Sequence, residues 1–191
     1  NIPISGGNAF TFEYTFRLNA ASNQISHIYP FVDDNVISIK QTNFDFDNDG
    51  FLDLLVSGKN TVPGEKAVLL FHNSGDGTYE DVSRLLPEDL LEGGEIGIAD
   101  YNEDGDLDIF LAGRQRGVRL LRNDGGNANN RLQVRLVGIK AGSGKNNHYG
   151  IGNKIEVRSG DLYQMKVVTE PVVHFGLGQR SRADVVRILW T

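Results

Sequence analysis

The sequence predicts an all-β protein whose N-terminal part is built from a repeat. Two acidic loops carry this prediction, because an apolar run of strand length follows each of them directly. DFDNDGFLD at residues 45–53 precedes LLV, and DYNEDGDLD at residues 100–108 precedes IFLA. The loops begin 55 residues apart (100 − 45 = 55), and a repeat of about 20–50 residues or slightly more is typical of solenoids and propellers. Short apolar runs bounded by Gly and Asn favour strands over helices.

The first predicted element lies ahead of the loops, where residues 8–18, NAFTFEYTFRL, alternate apolar and polar side chains. This alternation indicates a half-buried strand, which we interpret as the end of an earlier repeat. Each repeat then has an acidic loop, a strand ending in Gly, a partner strand and an Asn-x-Gly turn. The strand pairs are predicted at 52–58 with 67–73, and at 107–113 with 117–123.

Residues 81–94, DVSRLLPEDLLEGG, hold the one segment with helical character, and Pro87 limits it to a turn or two. The repeats end near residue 126. We therefore predict two domains, with a partial propeller at 1–126 and a small β-sandwich-like module at 127–191. The module's strands are predicted at residues 132–138, 154–160, 163–168 and 184–190.

The composition excludes several classes of protein. No apolar stretch approaches the roughly 18 residues of a membrane-spanning helix, so membrane insertion is not expected. The absence of cysteine excludes disulfides and thiolate metal sites. Nucleic acid is not an expected partner, because no basic helix or aromatic-basic strand stands out. The chain starts without an initiator Met or a signal pattern, so we expect a processed product or a piece of a longer protein.

The net charge of −6 is concentrated in the two loops. They hold nine acidic residues and no Lys or Arg, which leaves 25 − 9 = 16 acids against 19 bases in the rest of the chain. Carboxylates crowded in this way repel one another unless a cation lies between them. Ca²⁺ takes six to eight oxygen ligands at about 2.3–2.6 Å, whereas Mg²⁺ prefers octahedral sites with retained water. Two Ca²⁺ ions would reduce the formal charge to −2.

The pattern DxDxDGxxD assigns a ligand to each part of the loop. Positions 1, 3, 5 and 9 offer side-chain oxygens, position 6 needs Gly for the bend, and position 7 offers its carbonyl. The predicted ligands of the first ion are Asp45, Asp47, Asp49, the carbonyl of Phe51, and Asp53. The predicted ligands of the second ion are Asp100, Asn102, Asp104, the carbonyl of Asp106, and Asp108.

Two other types of calcium loop fit this sequence less well. An EF-hand or a dockerin loop needs an acid at position 12, where this chain has Val56 and Leu111, and an EF-hand also needs flanking helices. A single loop of this composition is also compatible with a solvated Asp-Gly turn. Two copies in the same strand context favour the cation site.

The residues of both repeats resemble a known family. DFDNDGFLDLLVSG with HNSGDGTYEDV, and IADYNEDGDLDIFLAG with LRNDGG, are similar to the FG-GAP/VCBS repeats of integrin-type β-propellers. The resemblance covers roughly residues 35–126. It implies that each repeat forms one propeller blade, with two recognisable blades and part of another here, and that its loop binds Ca²⁺.

The C-terminal residues resemble the ASPIC/UnbV domain, which follows such repeats in exported bacterial proteins and in the cartilage acidic protein family. The resemblance rests on NDGGNANNRLQVRLVG at 123–138, GIGNKIEVRSG at 150–160, HFGLG at 174–178 and VVRILW at 185–190. The segment before HFGLG is shorter here than the family pattern, and the usual Trp-Pro-x-Gly ending is absent.

We expect a non-enzymatic protein, because the four histidines are scattered and no nucleophile or phosphate-binding motif is present. Propellers close with about four to eight blades, so two blades imply part of a larger chain or a homo-oligomeric assembly. The expected function is a secreted or cell-surface module for adhesion, protein–protein interaction or assembly, with a protein, another copy or a glycan as partner. The alternative is a glycan-binding or enzymatic propeller whose active surface lies on blades outside this chain.

Overall fold

The structure is a computed structural model that describes residues 28–29, 31–33, 36–38, 40–60, 64, 66–113, 117–138 and 147–190. Apart from two short 3-10 turns, every regular element in these residues is a strand, and all the pairings with a defined register are antiparallel. The all-β prediction is therefore confirmed. The predicted strand at residues 8–18 lies outside the described residues.

The strands are numbered in chain order. Their bounds are Ile28–Tyr29 (β1), Phe31–Asp33 (β2), Val36–Ser38 (β3), Lys40–Phe44 (β4), Asp53–Ser57 (β5), Lys59–Asn60 (β6), Val68–Asn73 (β7), Tyr79–Asp81 (β8), Glu95–Ala99 (β9), Asp108–Gly113 (β10), Gly117–Leu121 (β11), Asn130–Val134 (β12), Lys154–Ser159 (β13), Leu162–Val167 (β14), Val173–Gly178 (β15) and Val185–Leu189 (β16). The 3-10 turns are Ser83–Leu85 and Gly126–Ala128.

The strand pairs predicted behind the two loops are both present. β5 pairs antiparallel with β7, with Leu54 opposite Phe71, in a sheet of order β4-β5-β7-β8. β10 lies between β11 and β9 in the corresponding three-stranded sheet. Leu55, Val56 and Ser57 of β5 are all buried, so this strand is covered on both faces.

Two compact units make up the chain, and their boundaries cross the predicted modules. The first comprises the described parts of Asn1–Thr42, Leu54–Ile96 and Leu111–Arg119. The second comprises the described parts of Asn43–Asp53, Gly97–Phe110 and Leu120–Thr191, and so contains both acidic loops. The predicted division into 1–126 and 127–191 stays a prediction.

In the first unit, a cluster of Val56, Leu69 and Phe71 is buried between the strands. The segment with helical character forms one 3-10 turn, as predicted. Ser83 holds this turn against β7, because its hydroxyl accepts a hydrogen bond from the Leu70 amide at 3.0 Å. The Lys66 ammonium donates to the carbonyls of Ser83 and Leu86, both at 2.8 Å, and so ties the end of the turn to the segment before β7.

In the second unit, the C-terminal strands form two sheets around their own core. β12 pairs with β15, and β13 lies between β14 and β16. Ile155, Val157 and Phe175 at the centre of this core are almost completely buried. All six residues of β15 are buried, so this strand packs on both faces. The predicted C-terminal strands are confirmed. Among the described residues there is no helix with the length and apolar character of a membrane span.

Candidate metal centre

The two acidic loops have the same backbone conformation. Gly50 and Gly105, at position 6, have φ angles of 97° and 91°, a region that disfavours residues with a Cβ atom. Asn48 and Glu103, at position 4, have φ angles of 60° and 58°. The bend predicted from the glycine therefore occurs in both loops, together with a second left-handed residue that was not predicted.

The first aspartate of each loop folds the chain back on itself. Asp45 Oδ2 accepts a hydrogen bond from the Gly50 amide at 2.9 Å. Asp100 Oδ2 accepts one from the Gly105 amide, also at 2.9 Å. Each bond spans five residues, so it closes the turn that encloses the remaining acidic side chains.

Positions 3 and 5 add two shorter turns. Asp47 Oδ1 accepts a hydrogen bond from the Asp49 amide at 3.2 Å, and Asp49 Oδ1 accepts one from the Phe51 amide at 2.7 Å. The second loop repeats both bonds, at 3.3 and 3.0 Å, between Asn102, Asp104 and Asp106. Asn102 thus keeps the backbone hydrogen bond of an aspartate, and its Nδ2 also donates to Asp104 Oδ2 at 2.7 Å.

The aspartate at position 9 joins the end of each loop to its start. Asp53 Oδ2 accepts a hydrogen bond from the Phe46 amide at 2.9 Å, and Asp108 Oδ2 accepts one from the Tyr101 amide at 3.1 Å. Both aspartates have no exposed surface. Because they are also the first residues of β5 and β10, each strand fixes the position of one loop carboxylate.

The same carboxylate oxygen is left without a partner in both loops. Asp45 Oδ1 and Asp100 Oδ1 are buried and have no hydrogen-bond partner. A buried polar atom without a partner costs about 1–3 kcal/mol, and more when it is charged. An unpartnered oxygen at the same position of two loops fits a cation that would supply the missing interaction.

The first loop brings its acidic side chains close enough to share one ion. Ligand oxygens of Asp45, Asp47 and Asp49 lie within 4.8 Å of one another. Oxygens at about 2.3–2.6 Å from a single Ca²⁺ lie at most about 5 Å apart, so this spacing is compatible with a common coordination shell. The cluster can therefore hold a metal ion.

The pKa of Asp45 reports the cost of burying a carboxylate among other carboxylates. Its pKa is raised to about 7, first by burial and then by the neighbouring carboxylates of Asp49, Asp53 and Asp47. The hydrogen bond from the Gly50 amide acts in the opposite direction and lowers the pKa. Burial also raises the pKa of Asp106 in the second loop. In the metal-free loop, Asp45 is therefore mostly protonated below a pH of about 7.

We expect the metal-free protein to lose stability as the pH rises from about 4 to about 7. The folded state holds a proton on Asp45 in this range, whereas the unfolded state with a pKa near 3.9 has released it, so folding is penalised increasingly. Urea unfolding in calcium-depleted buffer at pH 5 and pH 7.5 measures the difference. The Asp45→Asn variant is the control and should reduce the dependence; an equal dependence in the variant would contradict the assignment to Asp45.

Asp106 has a second contact that the sequence did not predict. Its carbonyl was the predicted ligand, but its carboxylate has no exposed surface and accepts a hydrogen bond from Asn48 Nδ2 at 3.1 Å. The Arg131 guanidinium lies 3.8 Å from the same Oδ1 atom. Asn48, at position 4 of the first loop, thereby joins the two loops directly.

The Asn-x-Gly turn also has a function in the site that sequence reasoning missed. The Asn123 amide donates to Asp108 Oδ1 at 2.7 Å, and Asn123 Nδ2 donates to the Phe46 carbonyl at 2.6 Å. Its own Oδ1 accepts from the Gly125 amide at 3.0 Å. The sequence does show that this asparagine recurs in both repeats, and this recurrence was the available signal. It does not show which residues the asparagine contacts.

The structure places all ten predicted ligand residues in two loops of one compact unit. It shows that the side chains at positions 1, 3, 5 and 9 accept hydrogen bonds from the corresponding backbone amides in both loops. Phe51 and Asp106, whose carbonyls were predicted as ligands, each donate a backbone amide to the aspartate two residues earlier. The ligand assignment itself stays a prediction.

Comparison with known families agrees with the repeat. A family model described as an FG-GAP-like repeat matches residues 45–111, from the first residue of the first loop to a buried leucine of β10. A comparison with curated proteins gave no match. The predicted likenesses of the C-terminal residues to ASPIC/UnbV domains, and of the chain to cartilage acidic proteins, stay predictions. The chain contains an FG-GAP-like repeat that spans both acidic loops and agrees with a propeller-like all-β fold.

Proposed function

We propose that this protein is a calcium-stabilised, non-enzymatic β-repeat module that mediates protein–protein interaction or assembly outside the cell. The FG-GAP-like repeat indicates a β-repeat interaction module. The calcium proposal rests on one observation, which is that both loops repeat the same hydrogen bonds and leave the same buried carboxylate oxygen unpartnered.

The proposed function of the ion is structural. In each loop, the aspartate that begins the following strand accepts a hydrogen bond from a backbone amide near the start of the loop. The carboxylates of the loop repel one another when no cation lies between them. Two Ca²⁺ ions would neutralise this repulsion and hold the loops closed. The carboxylates are engaged in closing the loops, which favours a structural site over a hydrolytic one.

The proposed extracellular location is supported by the calcium concentration that such sites need. Ca²⁺ outside cells is abundant enough to fill sites with dissociation constants of about 10⁻⁴–10⁻³ M. Repeats of this type occur in extracellular proteins, and no helix of the described residues crosses a membrane. The proposed partner is a protein or a second copy of the chain, with a glycan as a further class, and nucleic acid is not proposed.

Calorimetric titration of calcium-depleted protein with Ca²⁺ tests the proposal. We expect about two ions per chain, with the first loop binding more tightly because it has four carboxylates among its predicted ligands and the second has three. The Asp76→Asn variant is a matched control, since Asp76 is an exposed acid in another turn and should leave both sites intact. Absence of binding at millimolar Ca²⁺ would overturn the proposal.

A further inference from the structure

The C-terminal strand β15 lies against the predicted ligands of the first loop. A Cβ atom added to Gly176 would lie 2.0 Å from Asp45 Oδ2 and 2.5 Å from the backbone carbon of Asn48. The amide of Gly178 donates to the Asn48 carbonyl at 2.9 Å. Backbone of β15 and backbone of the loop are thus in direct contact, at a place where no side chain fits.

Residues of β14 and β15 also pack against Gly50, at the bend of the first loop. A Cβ atom on Gly50 would meet a methyl group of Leu162 at 2.6 Å and the carbonyl oxygen of Gly176 at 3.0 Å. Gln164, two residues after Leu162 on β14, donates its side-chain amide to that Gly176 carbonyl at 2.7 Å. Gly176 is therefore held by a side chain of the other C-terminal sheet while it contacts Asp45.

The strand β12 and the residue before it approach both loops with alternate side chains. Asn129 Nδ2 donates to the Asp47 carbonyl at 2.9 Å, and Gln133 Nε2 donates to Asp100 Oδ2 at 3.3 Å. Arg131, between them, donates to the Asp104 carbonyl. Because alternate residues of a strand share one face, this face is directed at the loops, while Leu132 and Val134 pack on the core.

We propose that the C-terminal strands are part of the two metal sites, and that Gly176 is a positioning residue for the ligand Asp45. The proposal rests on the calcium function above. It predicts that calcium binding and ordering of β12 and β15 are coupled, so each stabilises the other by the same free energy. The strands β12 and β15 thereby become responsive to calcium without supplying a ligand.

The Gly176→Ala variant tests the positioning directly. The added methyl group must displace Asp45 or the Asn48 backbone, and we expect the first loop to bind Ca²⁺ about ten- to a hundredfold more weakly. The second loop should keep its affinity, which a general loss of folding would not allow. Calorimetry in Asp108→Asn and Asp53→Asn backgrounds resolves the first and second loops respectively.

Gly97→Ala is the matched control. Gly97 lies in the same compact unit, and a Cβ atom there meets only the Phe110 Cβ at an ordinary 3.5 Å. This variant should bind Ca²⁺ like the wild type. Wild-type affinity at the first loop in Gly176→Ala would overturn the inference alone, whereas no binding by the wild-type protein would overturn the calcium function as well.

Amide exchange of the wild-type protein decides the question if Gly176→Ala does not fold. We expect Ca²⁺ to slow exchange in β12 and β15 as well as in the two loops, because the loop backbone and these strands share hydrogen bonds. Slower exchange confined to residues 45–53 and 100–108 would contradict the coupling.

Discussion

Removal of calcium is expected to lower the melting temperature by about 10–20 °C. An ion present at about 100 times its dissociation constant stabilises the folded state by about 2.7 kcal/mol, so two independent sites contribute about 5 kcal/mol. In a domain of 150–250 residues, 1 kcal/mol shifts the melting temperature by roughly 2–4 °C. The large effect reflects two loops whose carboxylates otherwise oppose folding.

Calorimetric or circular dichroism melts in calcium buffer and in excess chelator measure this shift. Returning Ca²⁺ to the chelated sample should restore the original melt, and Mg²⁺ at the same concentration should restore less of it. Proteolysis within the loops should rise in chelator and fall again with Ca²⁺. A melt that does not change in excess chelator would contradict the structural function of the ion.

The Asp53→Asn and Asp108→Asn variants are each expected to abolish one calcium site and leave the other intact. Both aspartates are fully buried and accept a backbone hydrogen bond that closes their loop. Asparagine keeps an oxygen for that bond but removes the negative charge at the predicted ligand. A loss of calcium binding would therefore result from the missing charge of the ligand and not from a broken turn.

Calorimetry of both single variants and the double variant checks this expectation, with Asp76→Asn as the control that keeps two sites. Each single variant should bind about one ion, and the double variant should bind none. Because the first loop is expected to bind more tightly, Asp53→Asn should leave the weaker site. Two intact sites in either single variant would show that the position-9 aspartate is not a ligand.

The sequence predicted those features of the protein that depend on residues close together in the chain. The strand pairs behind the loops were predictable because burial imposes a short-range pattern, and β5, β7, β10 and β11 occur where the apolar runs predicted them. The glycine bend of the loops was also predictable, and the hydrogen bonds around it join residues two, five and seven positions apart. Such bonds depend on residue type and spacing alone, which a linear pattern records.

Contacts between distant residues were not predictable in this way. Asn48 and Asp106 lie 58 positions apart, and Asn123 and Phe46 lie 77 apart, so neither pair leaves a periodic signal in one sequence. Asp106 is an example. Its position in the loop pattern predicted that its carbonyl is a ligand, but it did not predict that its side chain has a buried contact with Asn48.

The sequence by itself determined an all-β chain with two similar acidic loops, because charge repulsion, glycine bends and strand patterns act over a few residues. The tertiary structure alone decided that Gly176 lies against Asp45, 131 positions earlier (176 − 45 = 131), and that both loops share one compact unit with the C-terminal strands. The physical reason is steric: a glycine in a strand has many explanations in a sequence, and only the packed backbone shows which side chain it must leave room for.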